Sequence, residues 1–249
     1  MLKLSLKENS TLTLVYAYLI INRNMMNKTN ISVSILRKDI FKTKNQTIIQ
    51  KKEQDIIDSL IILSNCITDD KNKIVSDGHI QIQSYEDYFD CGELAYENLS
   101  ESINQMRNNL KTAYKNFAQT QLSIIAIEGE CSFVKLTLKE YLTLMSFVYK
   151  DSKGKGYKIA DLLNLYLLIK SNISKNLSLK NKFGNFYNKD CMYLDKIVKA
   201  SNLSQTTVKK YLDALCYCNL IKKCKKETKV YYILNSDFNK TLKEKEENE

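Results

Sequence analysis

The 249-residue chain has no proline, no tryptophan and a single histidine, His79. One imidazole cannot build a nickase metal site that uses a histidine pair, and it leaves no second histidine for a conventional triad elsewhere. His79 follows an Asp77-Gly78 turn signal and reads as a surface or strand residue. The glycine-bearing stretch "SKGKGYK" is not a nucleotide phosphate loop, because its spacing is wrong and no Ser or Thr follows the lysine. ATP hydrolysis is therefore not expected, and no catalytic residue is assigned. No uncharged apolar run reaches about 18 residues. The amino end also lacks a basic-then-apolar signal pattern, so a cytoplasmic protein without a membrane partner is expected. The absence of proline, with abundant Lys, Asn and Ile, points to an AT-rich genome and carries no mechanism.

The seven cysteines form no regular framework and read as reduced thiols, which fits that compartment. Cys191, Cys216, Cys218 and Cys224 invite a zinc reading. Against it, Cys216 and Cys218 would point about 200° apart on a helix. Neither a metal nor a cofactor is expected.

What the chain has is positive charge. Lys+Arg outnumber Asp+Glu by 38 to 28, a net +10, with a pI near 9.1 and a hydrophobic fraction of 44% suited to a globular core. Such a balance favours a polyanionic partner, yet lysine-rich composition alone produces basic surfaces, so the distribution decides. Lys189 to Lys229 holds ten lysines against Asp190, Asp195, Asp213 and Glu227, a balance of +6 in about a sixth of the chain.

That segment has a recognisable grammar. Leu194, Ile197 and Val198 give one face of a short helix over Tyr193 to Ala200. Ser201-Asn202-Leu203-Ser204 breaks it, and Ser204 can cap the next helix by accepting an unpaired backbone N–H. Val208, Leu212 and Leu215 then form an inward stripe, with Gln205, Thr206, Lys209 and Lys210 largely outside it. Amides and hydroxyls at the amino end, with lysines a turn later, suit a helix entering a major groove. Leu220 to Lys223 and Lys229 to Leu234 read as paired strands with Cys224 to Thr228 as their tip, a wing. The expected base readers are Ser204, Gln205, Thr206, Lys209 and Lys210. Lys199, Lys222, Lys223, Lys225, Lys226 and Lys229 are expected to hold phosphate, with a steep salt dependence.

Earlier in the chain, Leu12 to Ile21 reads as a buried first helix, Asn30 to Phe41 as a helix carrying Ile31, Ile35, Leu36 and Ile40, and Ile48 to Cys66 as an amphipathic helix. The Asp77-Gly78 turn precedes an alternating strand or hairpin from His79 to Gln83. Leu99, Ile103, Met106, Leu110 and Tyr114 mark a connecting helix behind a Ser100 cap candidate. Gln121 to Ile127 reads as a strand, followed by helices over Lys139 to about Tyr149 and Ile159 to Ser171. The openings "LKLSLKE" at Leu2 and "VKLTLKE" at Val134 echo one another, which suggests two related modules. In the first, Ser32 to Phe41 would lead into a recognition helix, with Lys44, Asn45, Gln46, Thr47, Gln50, Lys51 and Lys52 available to DNA. Its hairpin carries Asp69, Asp70 and Asp77, which repel phosphate, so a dimerising role stands beside a base-reading one.

Two winged-helix modules in tandem resemble the plasmid replication initiator proteins of theta-replicating plasmids. The likeness lies mainly in "FVKLTLKEYLTLMSF", "ADLLNLYLLIKS" and the Leu194 to Ile221 pattern. The resemblance implies binding to repeated origin sequences, with Gln205, Thr206, Lys209 and Lys210 reading bases and Lys222, Lys223, Lys225 and Lys226 holding phosphate. The expected fold is mainly α with small β-hairpins: a winged-helix-like module over 1–84, a helical connector over 85–130, a DNA-binding winged helix over 131–236 and a disordered charged tail over 237–249. The expected activity is sequence-specific binding of double-stranded DNA to start plasmid or phage replication, as a homodimer or monomer–dimer equilibrium meeting replication proteins. The alternatives are a dimeric winged-helix transcriptional regulator, and a structural or assembly protein whose winged helices bind protein.

Overall fold

The computed structural model describes residues 10–71, 73–83, 85–89, 93–127, 136–183, 191–201, 203–226 and 228–238. The chain divides into two units, Met1–Ser132 and Phe133–Glu249, each built mainly of helices with small sheets.

In the first unit, α1 (Ser10–Ile21) is apolar on all sides and buries Leu12, Leu14, Val15, Ala17 and Leu19. A helix of that composition belongs inside a core rather than at its edge. β1 (Lys28–Ser32) leads directly into α2 (Val33–Ile40), because Ser32 ends the strand and caps the helix by accepting from Ile35 N at 3.3 Å. Ile31 therefore lies in the strand, not in the helix expected over Asn30 to Phe41, and Ile35 is half-exposed. A hydroxyl at the cap outranks the apolar spacing that suggested one longer helix. α3 (Gln46–Ser64) begins at Asn45, whose Oδ1 accepts from Thr47 N and Ile48 N at 3.0 and 3.2 Å. Its second half buries Ile56, Ile57, Leu60, Ile61, Ile62 and Leu63.

β2 (Cys66–Thr68), β3 (Ile74–Asp77), β4 (Ile80–Ile82), α4 (Glu86–Phe89), β5 (Glu93–Ala95), α5 (Leu99–Ala113) and β6 (Gln121–Ala126) complete the unit. They form two sheets, ordered β1-β6-β4 and β3-β2-β5. The Asp77-Gly78 turn does not join a hairpin: β3 pairs with β2, and β4 pairs with β6. Gly78, at φ +68°, carries the chain from one sheet to the other. His79 sits just after it with its ring 5.6 Å from that of Tyr16. Residues read as a connector are integral here, since β6 is the central strand between β1 and β4. Ser100 lies inside α5 rather than at its cap; Asn98 occupies that position without a side-chain cap bond.

The second unit contains α6 (Leu138–Lys150), α7 (Ile159–Phe183), β7 (Met192–Tyr193), α8 (Leu194–Ser201), α9 (Gln205–Tyr217), β8 (Ile221–Lys226) and β9 (Lys229–Leu234). Thr137 and Glu140 make a reciprocal capping box at the start of α6. α7 runs twelve residues beyond the Ser171 limit read from its apolar pattern. The sheet order is β7-β9-β8, antiparallel throughout.

Apart from insertions in the first unit, both share one path: helix, strand, two helices, then two further strands, with the last strand lying between the other two. In the first unit that path is α1, β1, α2, α3, β4, β6, with β2 and β3 inserted before β4, and α4, β5 and α5 between β4 and β6; in the second it is α7, β7, α8, α9, β8, β9. The correspondence sets α1 against α7, whereas the sequence echo sets α1 against α6. Of the echoing openings, 2–8 and 134–140, residues 2–8 and 134–135 lie outside the described residues, as does most of the 237–249 tail.

Candidate nucleic-acid interface

α9 starts where Ser204 turns the extended chain into a helix. Its hydroxyl accepts from Thr207 N at 3.1 Å and lies 2.8 Å from Thr207 Oγ1. Ser204 is thus engaged in capping, and the helix presents the residues that follow it. Val208, Tyr211, Leu212, Ala214 and Leu215 are buried, the expected stripe widened by Tyr211 and Ala214. Gln205, Thr206, Lys209, Lys210, Asp213 and Tyr217 are exposed. At about 100° per residue, Thr206, Lys209 and Asp213 share a strip opposite the buried stripe, with Gln205 at its margin.

Lys210 is placed differently from Lys209. Its Nζ sits 4.5 Å from the Tyr157 ring centroid and donates to Gly156 O at 3.3 Å. The neighbouring Tyr211 hydroxyl accepts from Lys158 N at 3.2 Å and donates to Asp161. Burial pushes the Tyr211 phenol above its ordinary pKa, so it remains a neutral linker. Lys210 and Tyr211 therefore tie α9 to the segment between α6 and α7, while Lys209 faces solvent. The sequence pattern offers the two lysines as equivalent base readers; the helical angle between them, about 100°, separates their placement. Asp213, which enters the sequence reading only through the charge balance, is an acid in the middle of the open strip.

β8 and β9 pair from Ile221↔Leu234 to Lys226↔Lys229, so the turn is tighter than the Cys224 to Thr228 tip expected. Cys224 and Lys225 lie within the ladder, opposite Tyr231 and Val230. Alternation puts Lys222 on one face of the hairpin and Lys223 and Lys225 on the other. Lys222 Nζ is 3.3 Å from Asp237 Oδ2, an exposed bridge of little net strength. Lys223, Lys225 and Lys229 are exposed, as is Lys199 in the last turn of α8. Lys226 pairs with Lys229 in the ladder. On its inner side Ile221 and Tyr232 are buried at 1% and 2% exposure, holding the lysine-bearing strands against the helices.

In the first unit, the amino end of α3 stands clear of the core. Lys44, Gln46, Thr47, Gln50 and Lys51 are exposed, and Ile48 among them is 45% exposed. Asn45 is engaged as the cap, and Lys52 is held between Asp55, at 2.8 Å, and the Phe41 ring, at 4.8 Å. The acidic hairpin that argued against DNA belongs to the sheet β3-β2-β5, not to the sheet that matches β7-β9-β8. Within it Asp69 closes its own turn by accepting from Lys71 N and Lys73 N at 3.0 and 2.8 Å.

Cys216 and Cys218 stand at the carboxyl end of α9. Burial raises the Cys216 thiol and pushes Cys218 up to about 12, so both stay protonated at neutral pH. Among the described residues no cluster of three His, Cys, Asp or Glu could hold a metal ion, and no helix is long and apolar enough to cross a membrane.

Comparison with protein-family models, with curated proteins and with solved structures found no match for this chain.

Proposed function

We propose that the protein binds double-stranded DNA sequence-specifically, that both units are winged-helix modules, and that the bound site is a replication origin of a plasmid or phage. The reading rests above all on α9: its open strip offers Gln205, Thr206 and Lys209 beside a hairpin whose exposed lysines lie on both faces. A helix carrying amides and hydroxyls in its first turn can pair with base edges, and flanking cations neutralise phosphate without regard to sequence. The shared element path supports two such modules, and the exposed amino end of α3 is the corresponding element of the first.

The test is selection from a duplex library across a salt series, with Lys209→Ala and Lys225→Ala/Lys229→Ala alongside. Enrichment of a defined site by the wild type is expected. Lys209→Ala should relax the preference at particular positions, and the hairpin variant should weaken all sequences alike and flatten the salt slope. Direct repeats in the selected site and in its genomic setting support an initiator, whereas an inverted repeat over a promoter would favour a regulator. No enrichment and no salt-dependent affinity would defeat the DNA reading.

A further inference from the structure

The segment 150–158, "KDSKGKGYK", carries four lysines and one acid. Several contacts tie it to α9. Tyr157 packs against Tyr211, with ring centroids 5.4 Å apart and planes at 89°, and supports Lys210 on its face. Lys153 Nζ lies 4.5 Å from the Tyr217 ring centroid. Phe147 of α6 touches both Tyr157 and Tyr217, at 5.2 and 5.6 Å between centroids. The single acid, Asp151, accepts from Lys153 N at 2.9 Å and pairs with the Tyr217 hydroxyl; the Lys153 N–H first, then Tyr217, holds its carboxyl below the usual range. Asp151 is thereby engaged by the loop's own backbone and by Tyr217.

Lys155 and Lys158 are exposed, and among the described residues neither makes an ion pair. Their backbone is closely held: Lys155 N donates to Ser152 O, Tyr157 N to Gly154 O, and Lys158 N to the Tyr211 hydroxyl. Two cations on an ordered scaffold lose less freedom on meeting an anion than two on a loose tail would. Around α9, Lys210 and Tyr217 lie on the loop's side of the open strip, whereas Cys216, beside Lys223 at the base of the hairpin, lies on the other. The strip is bordered by lysines on both sides.

We infer that Lys155 and Lys158 form a second phosphate-holding element, gripping the DNA backbone along one margin of the groove that α9 enters while the hairpin lysines hold the other. The inference rests on the proposed DNA reading and adds to it a binding element outside the hairpin. Contacts of this kind carry no base information and set the register and orientation of the helix.

The experiment measures binding of a selected duplex and of an unrelated duplex by the full-length protein over a potassium chloride series. The wild type is compared with Lys155→Ala/Lys158→Ala and with Lys155→Arg/Lys158→Arg. Loss of two phosphate contacts should reduce the slope of log affinity against log salt by about 1.8. Over a fourfold rise in salt, the double alanine variant should therefore lose about twelvefold less affinity than the wild type. The arginine pair should keep the wild-type slope, and both duplexes should be affected alike. A steep wild-type slope left unchanged by the alanine pair overturns this inference and leaves the DNA reading standing. Loss confined to the selected duplex also overturns it, since that would make the residues base readers. A wild type without salt-dependent binding overturns both.

Discussion

Replacing Glu140 tests how the second unit holds the helix from which the 150–158 loop departs. Glu140 is 2% exposed and accepts four hydrogen bonds: from Thr137 N at 2.8 Å, Tyr166 Oη at 2.6 Å and Lys170 Nζ at 2.6 and 2.8 Å. Removing one partner of a buried ion pair costs about 3–5 kcal/mol, because the remaining charge is stranded. Glu140→Gln leaves Lys170, whose side chain is 14% exposed and can lift its head towards water; the amide keeps one acceptor, for Thr137 N, and its NH2 can donate to Tyr166 Oη. We expect its cost just below that range, about 2–3 kcal/mol. Lys170→Met strands the better buried carboxylate and should cost about 3–4 kcal/mol. The double variant Glu140→Gln/Lys170→Met strands neither charge, so it should be more stable than the sum of the single losses by about 2 kcal/mol. Urea unfolding, followed by amide exchange of α6 and α7, reads the second unit separately from the first. Burial raises the Glu140 pKa, but hydrogen bonds from Lys170, Thr137 and Tyr166 outweigh it and hold the folded value below the ordinary 4.5. The carboxylate's contribution is therefore fully present above about pH 4.5 and is lost as pH falls through the folded value. The gap between wild type and Glu140→Gln should close in that acidic window. Single and double variants that are additive, or a gap that widens in acid, would refute the reasoning.

Three other substitutions examine the interface. Gly154→Ala would place a methyl group 1.8 Å from Phe147 O, so the loop must shift; about 1–3 kcal/mol of destabilisation is expected in urea unfolding, with weaker nonspecific duplex binding. Ser204→Ala should cost about 1 kcal/mol, whereas Ser204→Asn should restore most of it without changing the selected sequence, as a cap and not a reader would behave. Asp213→Asn removes the one acid from the open strip of α9 and should raise nonspecific DNA affinity about two- to fivefold at low salt, measured by anisotropy. Unaltered affinity there would place α9 away from the phosphates.

Much of the second unit was legible because its signals are local. Ser204 stands at a chain break before a regular apolar stripe, and the lysines of β8 and β9 flank a short turn, so cap, helix and hairpin can each be read within a few residues. Ile31 was misplaced because a strand entering a helix mimics helical spacing, and only pairing with β6 distinguishes them. Likewise Asp77-Gly78 carries a hairpin signal, but the partners of β3 and β4 come from residues distant in sequence.

Composition and periodicity alone determined that the chain is a mainly helical protein with a cationic carboxyl half, because burial of apolar stripes and repulsion of like charge depend on residue type and order. Tertiary packing decided which charges are available. Lys209 and Lys210 are adjacent in sequence, yet one faces solvent and the other lies on Tyr157. Lys155 and Lys158 gain their position only when the loop that bears them docks on α9 through Tyr157 and Tyr211. Those contacts join residues more than fifty positions apart, and no local pattern encodes them.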